Sequence, residues 1–280
     1  MLKLSLSILF VCLGMSQLVA EDKVEIKKET WSYLPTITEI SKKFKGDIGK
    51  VVPMGDSISY ANQAGKWARY GTDRTPEQIT LARWMHAHEN DKSNGWWLAA
   101  NDQPDNRSWT AASGITSGEY LQGGFHNLPA LDEILSAHKP QIALIMLGTN
   151  DLNKKVPTEK YLANMETFYN KCIAAGTVPV VCSIIPTTWG NKDDLIAYNE
   201  GLFKLAEKLK IPYLDLNGEF LKLRPGDSWK ETLISKDGAH PTHGIAEGPA
   251  NEENLKNCGY LLKCFLQVGK IGEIKEKMKW

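Results

Sequence analysis

The sequence predicts a single doubly wound α/β domain, and two observations carry the prediction. Four short apolar runs, "KVVPM" (50–54), "QIALIML" (141–147), "VPVVCSII" (178–185) and "IPYLDL" (211–216), are continuous and rich in β-branched residues. Strands buried on both faces of a parallel sheet have this character. Helical patterns alternate with them, and alternating β and α elements pack as helices on both sides of such a sheet. "SWTAAS" at 108–113 is a weaker candidate for a fifth strand.

The elements follow in order. Lys3, the mostly apolar stretch 4–19 and Ala20 before "EDK" form the three-part pattern of a secretory signal peptide. The stretch is short for a membrane span, which needs about 20 residues. Residues 1–20 are therefore expected to be a signal peptide and residues 21–280 one domain with a C-terminal helix, secreted or periplasmic, with no stable membrane insertion of the mature chain. Pro53 removes a ladder donor from the first strand, near its end where the cost is smallest. "TPEQITLARWMHAHEN" opens with Thr75 as N-cap, Pro76 and an acidic first turn. "TEKYLANMETFYNKCIAAG" stops at Gly176, and "DDLIAYNEGLFKLAEKLK" runs from acidic to basic along the helix dipole. From Asn251 to about Lys279 the pattern is helical, with a break expected at Gly269.

The 280 residues are 42% hydrophobic and 24% charged, with zero formal net charge. A full core is affordable, and nothing in the overall charge calls for nucleic acid as a partner. Cys172, Cys182, Cys258 and Cys264 remain after the leader. A domain of this size needs no disulfide staple, so none is expected to be obligatory.

Ligands of doubly wound folds bind beyond the carboxyl ends of the strands, and polar loops fall there. They are Gly55-Asp56-Ser57, "SGITSG" (113–118), Gly148-Thr149-Asn150-Asp151 and "DGAHPTHG" (237–244). Taken singly, each has a plain reading: Ser57 as a helix cap, Gly114 as a turn glycine, Asn150 as an Asx-turn former, Asp237 and His240 as loop residues. Taken together they supply a serine, a backbone N–H, a side-chain amide and an Asp-x-x-His pair, the parts that acyl transfer requires. No metal or cofactor is called for. His86 and His88 fall on a predicted helix, where residues two apart do not share a face.

In order and spacing, "GDS", "SGITS", "GTND" and "DGAH" resemble the four sequence blocks of the SGNH hydrolases, the GDSL esterase family, from about residue 48 to 244. The resemblance implies a flavodoxin-like three-layer α/β/α sandwich with a five-stranded parallel sheet. It also implies a serine ester hydrolase in which Ser57 is the nucleophile, His240 the base and Asp237 the group that orients it. Gly114 and Asn150, with the Ser57 N–H, would form the oxyanion hole. Gly118, Gly123 and Gly124 lie close enough to compete with Gly114, and His243 is a rival for His240.

Between the first two blocks, residues 60–110 are rich in Trp and polar groups, notably "NGWWLAANDQPDNRSW". Trp96 and Trp97 are candidates for an aromatic wall beside the serine, the alternative being core. Aromatic faces beside amides suit sugar rings, and exported SGNH proteins often resemble carbohydrate O-acetyl esterases. The expected substrate is therefore a small-molecule or oligosaccharide ester. Two alternatives stay open: a lysophospholipase, thioesterase or arylesterase of the same family, and a catalytically idle glycan-binding module.

Overall fold

The computed structural model describes residues 25–88 and 93–280. The expected signal peptide lies outside the described residues. Four parallel strands, β1 (Val51–Gly55), β2 (Ile142–Met146), β3 (Val178–Cys182) and β4 (Tyr213–Leu214), pair in the order β1-β2-β3-β4. Every residue of β1, β2 and β3 is buried. Successive strand side chains alternate between faces, and two cores result. Val51, Ile142, Leu144, Val178 and Val180 pack with Ile37 and Ile40 of the Leu34–Ser41 helix and with the Gly259–Met278 helix. Val52, Met54, Ala143, Ile145 and Val181 pack with the Thr158–Ala174 and Lys192–Leu209 helices. The result is the expected three-layer α/β/α arrangement.

The fifth strand is the first correction. Segment 108–113 meets β1 only through one parallel bridge, Gly55 to Ala111. Gly55 N–H donates to the Thr110 carbonyl and Ala112 N–H to the Gly55 carbonyl, each at 3.2 Å. Pro53 explains why pairing goes no further. Odd-numbered residues of β1 face this edge, and Pro53 has no N–H to offer it. Its carbonyl takes the Thr110 hydroxyl instead, at 2.8 Å, while the N–H groups of Thr110 and Ala111 turn to Ser108 Oγ. With this edge segment counted, the spatial order is that of a flavodoxin-like sheet.

The helices depart from expectation in two places. Thr75 forms a capping box with Gln78, as anticipated, but the helix is Pro76–Trp84 and does not run to residue 90. His86 takes a left-handed φ of 53°, so it and His88 lie beyond the helix, their rings against the carbonyls of Ile48 and Arg69. The last helix passes through Gly269 without a break. The interruption is instead at Cys258, extended between Glu252–Asn257 and Gly259–Met278. Cys172, Cys182, Cys258 and Cys264 are buried free thiols. Among the described residues no helix is long and apolar enough to cross a membrane.

Candidate active site

β1 ends in Gly55, where a Cβ would lie 2.2 Å from Ser59 Oγ and 2.3 Å from the Met146 carbonyl. Only glycine lets the chain turn so tightly off the sheet. The turn continues as a short 3₁₀ segment, Ser57–Ser59, and its cap is Asp56, whose carboxylate accepts from Ile58 N–H at 2.9 Å. Because Asp56 caps the segment, the Ser57 hydroxyl is left for another partner. It lies 2.7 Å from His240 Nε2. The other ring nitrogen of His240, Nδ1, lies 2.6 Å from Asp237 Oδ2. With the proton on Nδ1 donated to Asp237, Nε2 accepts from Ser57, which is the polarity a serine nucleophile needs. His243 is exposed and has no part in this chain of bonds.

Asp237 is held by its own turn. Its Oδ1 accepts from Ala239 N–H, His240 N–H and the Ser235 hydroxyl, each at 2.9 Å. Burial pushes the carboxyl up, but these bonds and the one from the His240 ring outweigh it and hold the pKa at about 2. The turn is braced from β3's carboxyl end. Thr188 N–H and the Thr187 hydroxyl both donate to the Gly238 carbonyl at 2.8 Å, and Trp189 Nε1 donates to the Asp237 carbonyl at 2.8 Å.

Gly114 and Asn150 flank the serine turn. Gly114 has a φ of 81°, a left-handed conformation that glycine adopts without strain, although a Cβ would have room, 3.7 Å from Phe125. Its N–H and that of Ser57 make no hydrogen bond among the described residues. The Tyr60 hydroxyl accepts from Ser113 N–H at 2.8 Å, tying Gly114's loop to the nucleophile turn. Asn150 is the second residue of the short Thr149–Asn153 helix after β2, and its Nδ2 donates to Asp56 Oδ2 at 3.3 Å. That leaves its second amide hydrogen for a ligand. Next to it, buried Asp151 accepts from both the N–H and the hydroxyl of Ser117, at 2.9 and 2.6 Å, locking the two loops together.

Asp56 is itself perturbed. Complete burial pushes its carboxyl up to about 6, against the opposing pull of the Ile58 N–H and the charges of His240 and Lys263; Asp151 adds a further upward push. Its pKa in the folded chain thus lies above the ordinary 3.8. The stability it contributes is fully present below about pH 4 and is lost as pH rises through about 6. The gap corresponds to about 3 kcal/mol. Asp56→Asn should therefore flatten the dependence of unfolding free energy on pH between 4 and 6, measured by urea titration beside the wild type. An unchanged slope would show that Asp56 does not titrate there.

Trp96 and Trp97 do not form the expected wall. They sit in the Gly95–Ala99 3₁₀ turn, only 0% and 4% exposed. Trp96 belongs to the core that includes Ile58 and Trp67, and the Arg69 guanidinium lies over the Trp97 ring, 4.2 Å from its centroid. Neither face is open to a substrate. The aromatic side chain that does stand at the triad is Trp189, its ring edge-to-face with His240 at 5.9 Å between centroids. "TTWGN" gave one signal for it: a lone Trp in a Gly- and Thr-containing loop just past a strand's carboxyl end.

Comparison with known families is decisive at this point. The family model of the GDSL-like lipase/acylhydrolase family matches residues 54–244, from the end of β1 through the Asp-x-x-His turn. The chain belongs to that family. It is accordingly a carboxylic ester hydrolase. No curated protein matches it in sequence. Among solved structures, a carbohydrate esterase family 3 protein from Talaromyces cellulolyticus is similar, with TM-score 0.51, 20% identity and coverage of 82% of this chain and 97% of that one. A GDSL-like lipase from Bacteroides thetaiotaomicron is similar with TM-score 0.50, 16% identity and coverage of 88% and 99%. At such identities the likeness is one of fold. Across the family model's span lie all four polar loops described above.

Proposed function

We propose that this GDSL-family esterase is an exported enzyme that removes O-acetyl groups from carbohydrates through Ser57, His240 and Asp237. The observation that carries the catalytic part is the unbroken chain of bonds from Ser57 Oγ through the His240 ring to Asp237, at 2.7 and 2.6 Å. His240 Nε2 takes the Ser57 proton as Oγ attacks the ester carbonyl carbon. Asp237 stabilises the imidazolium and keeps its orientation. The Ser57 and Gly114 N–H groups and Asn150 Nδ2 receive the oxyanion. The intermediate collapses, His240 returns the proton to the leaving alcohol, and an acyl-serine remains. Water, deprotonated by the same histidine, then releases the carboxylic acid and restores Ser57.

The substrate class rests on grounds other than Trp96 and Trp97, which are buried. The side chains of His240 and Asp237 are 33% and 44% exposed, so the triad is reachable by an ester carried on a bulky polar chain. The carbohydrate esterase likeness is of the same tenor. What supports export is the charge and hydrophobicity pattern of residues 1–20. A panel of p-nitrophenyl esters from acetate to palmitate tests the acyl part. Acetate should be turned over far faster than palmitate, and a preference for palmitate would replace the deacetylase by a lipase.

The oxyanion assignment has its own test. Asn150→Ala should lower kcat by roughly 10²–10³, about 3–4 kcal/mol of transition-state stabilisation, with little change in KM. Asn150→Asp should be worse. It would set a carboxylate against the oxyanion and against Asp56, whose Oδ2 is 3.3 Å from the present amide nitrogen. A fully active Asn150→Asp enzyme would sink the role, because an Asx-turn residue tolerates that change.

A further inference from the structure

We infer that Trp189 is the alcohol-side binding residue of this enzyme: its ring receives the pyranose that carries the scissile acetyl group. The inference rests on the deacetylase reading and names a subsite for it. Trp189 is partly exposed and belongs to neither hydrophobic core; Trp97 is also in neither, but is buried, with Arg69 over its ring. Exposing part of an indole forfeits burial that is otherwise favourable, and here the ring is fixed instead by polar contacts. Nε1 donates to the Asp237 carbonyl at 2.8 Å, and the backbone N–H donates to Thr187 Oγ1 at 3.0 Å. Beside its loop lies a groove of about 640 Å³, lined by Thr187, Thr188, Gly190 and Lys192 among others. The Trp189 loop is held by the Asp237–Gly238 turn and, at Gly190, by close approach to the Leu152 backbone.

Its position selects which half of an ester it meets. Oxyanion donors lie at Ser57, Gly114 and Asn150, and these take the acyl carbonyl. His240 Nε2 must reach the leaving oxygen to protonate it, so the alcohol lies on the histidine's side. Trp189 is the aromatic neighbour of that ring, edge-to-face at 89°. An indole pinned by its N–H and turned in this way presents a rigid apolar surface, at little entropic cost, to the C–H face of a sugar. Such a surface binds ground and transition states alike, so its loss should appear in KM.

Two substrates and two variants test this. The substrates are an acetylated xylo-oligosaccharide and ethyl acetate, whose alcohol is too small to stack, both followed by acid release. Trp189→Ala and Trp189→Phe both lose the Nε1–H bond to the Asp237 carbonyl, so whatever that brace contributes falls alike on both substrates in both variants. Beyond it, Trp189→Ala should raise KM for the oligosaccharide roughly tenfold over Trp189→Phe, the scale of one aromatic contact, with no such difference on ethyl acetate. Trp189→Phe keeps a ring but loses the N–H, and should retain most of the oligosaccharide affinity. Equal losses on both substrates would overturn the inference, since they would mean that Trp189 only braces the Asp237 turn. Wild-type enzyme that hydrolyses ethyl acetate but not the acetylated sugar would overturn the deacetylase reading and, with it, the ligand named here.

Discussion

Replacing Ser57 by alanine is expected to lower kcat by about 10⁶, the scale on which loss of a serine nucleophile acts, while the melting temperature barely moves. The structure makes this a clean substitution. Ser57 is partly exposed, and among the described residues its hydroxyl bonds only to His240 Nε2. The cap of the 3₁₀ turn is Asp56, so no structural bond goes with the Ser57 oxygen. A serine-reactive phosphonate should label the wild type at Ser57 alone. Ser59 is the nearest competitor, but it is 2% exposed and its Oγ is packed against Gly55. Labelling at Ser59, or a Ser57→Ala enzyme within tenfold of wild type, would overturn the nucleophile assignment.

The fold was legible because its strands declare themselves. β1, β2 and β3 are buried on both faces, so every residue is apolar or small and no alternation confuses the pattern. The edge was not legible. "SWTAAS" has the composition of a strand, but pairing depends on what the neighbouring strand offers. Pro53 offers a carbonyl and no N–H. Glycine was overread for a related reason. A single Gly in a helix costs about 1 kcal/mol and does not by itself end it. Gly269 therefore sits within a helix that tertiary packing maintains, while the break falls at Cys258.

The site divides along similar lines. Asp237 and His240 share one turn, and Ser57 and Asn150 each follow a strand directly, so local sequence carries their placement. What brings them together is long-range and has no local signature: Asn150 to Asp56, Ser113 to Tyr60, Ser117 to Asp151. The tryptophans show the limit most clearly. "NGWWLAAND" looks like an exposed loop from its flanks, yet Leu98, Ala99 and Ala100 are fully buried and draw the indoles in with them. Trp189, in a stretch that looks like any turn, is left beside the triad because polar bonds rather than apolar neighbours hold it.

Asp237→Asn is the second large effect expected, on the order of 10⁴ in kcat with little change in KM. The reason is proton placement. In the wild type the carboxylate oxygen Oδ2 accepts from His240 Nδ1, so Nε2 is free to accept from Ser57. In the variant the amide oxygen is claimed at the Oδ1 position, where Ala239 N–H, His240 N–H and the Ser235 hydroxyl all donate. The amide NH₂ then faces Nδ1 and donates to it, which moves the histidine proton to Nε2 and leaves no base toward Ser57. The same geometry explains why Asn is the better test than Ala. Asn keeps an acceptor for the three turn donors, so folding should survive, whereas Ala would strand all three and confound the rate with stability. The pH dependence gives a second readout. Asp237 titrates at about 2, below the ordinary 3.8, so it is charged throughout the range above about pH 4, and whatever stability it adds is lost only as pH falls through that lower window. Asp237 itself therefore sets no limb of the rate profile above about pH 4, and the deficit of the variant should be large on the alkaline plateau of both enzymes. A variant within tenfold of wild type on that plateau would remove Asp237 from the mechanism.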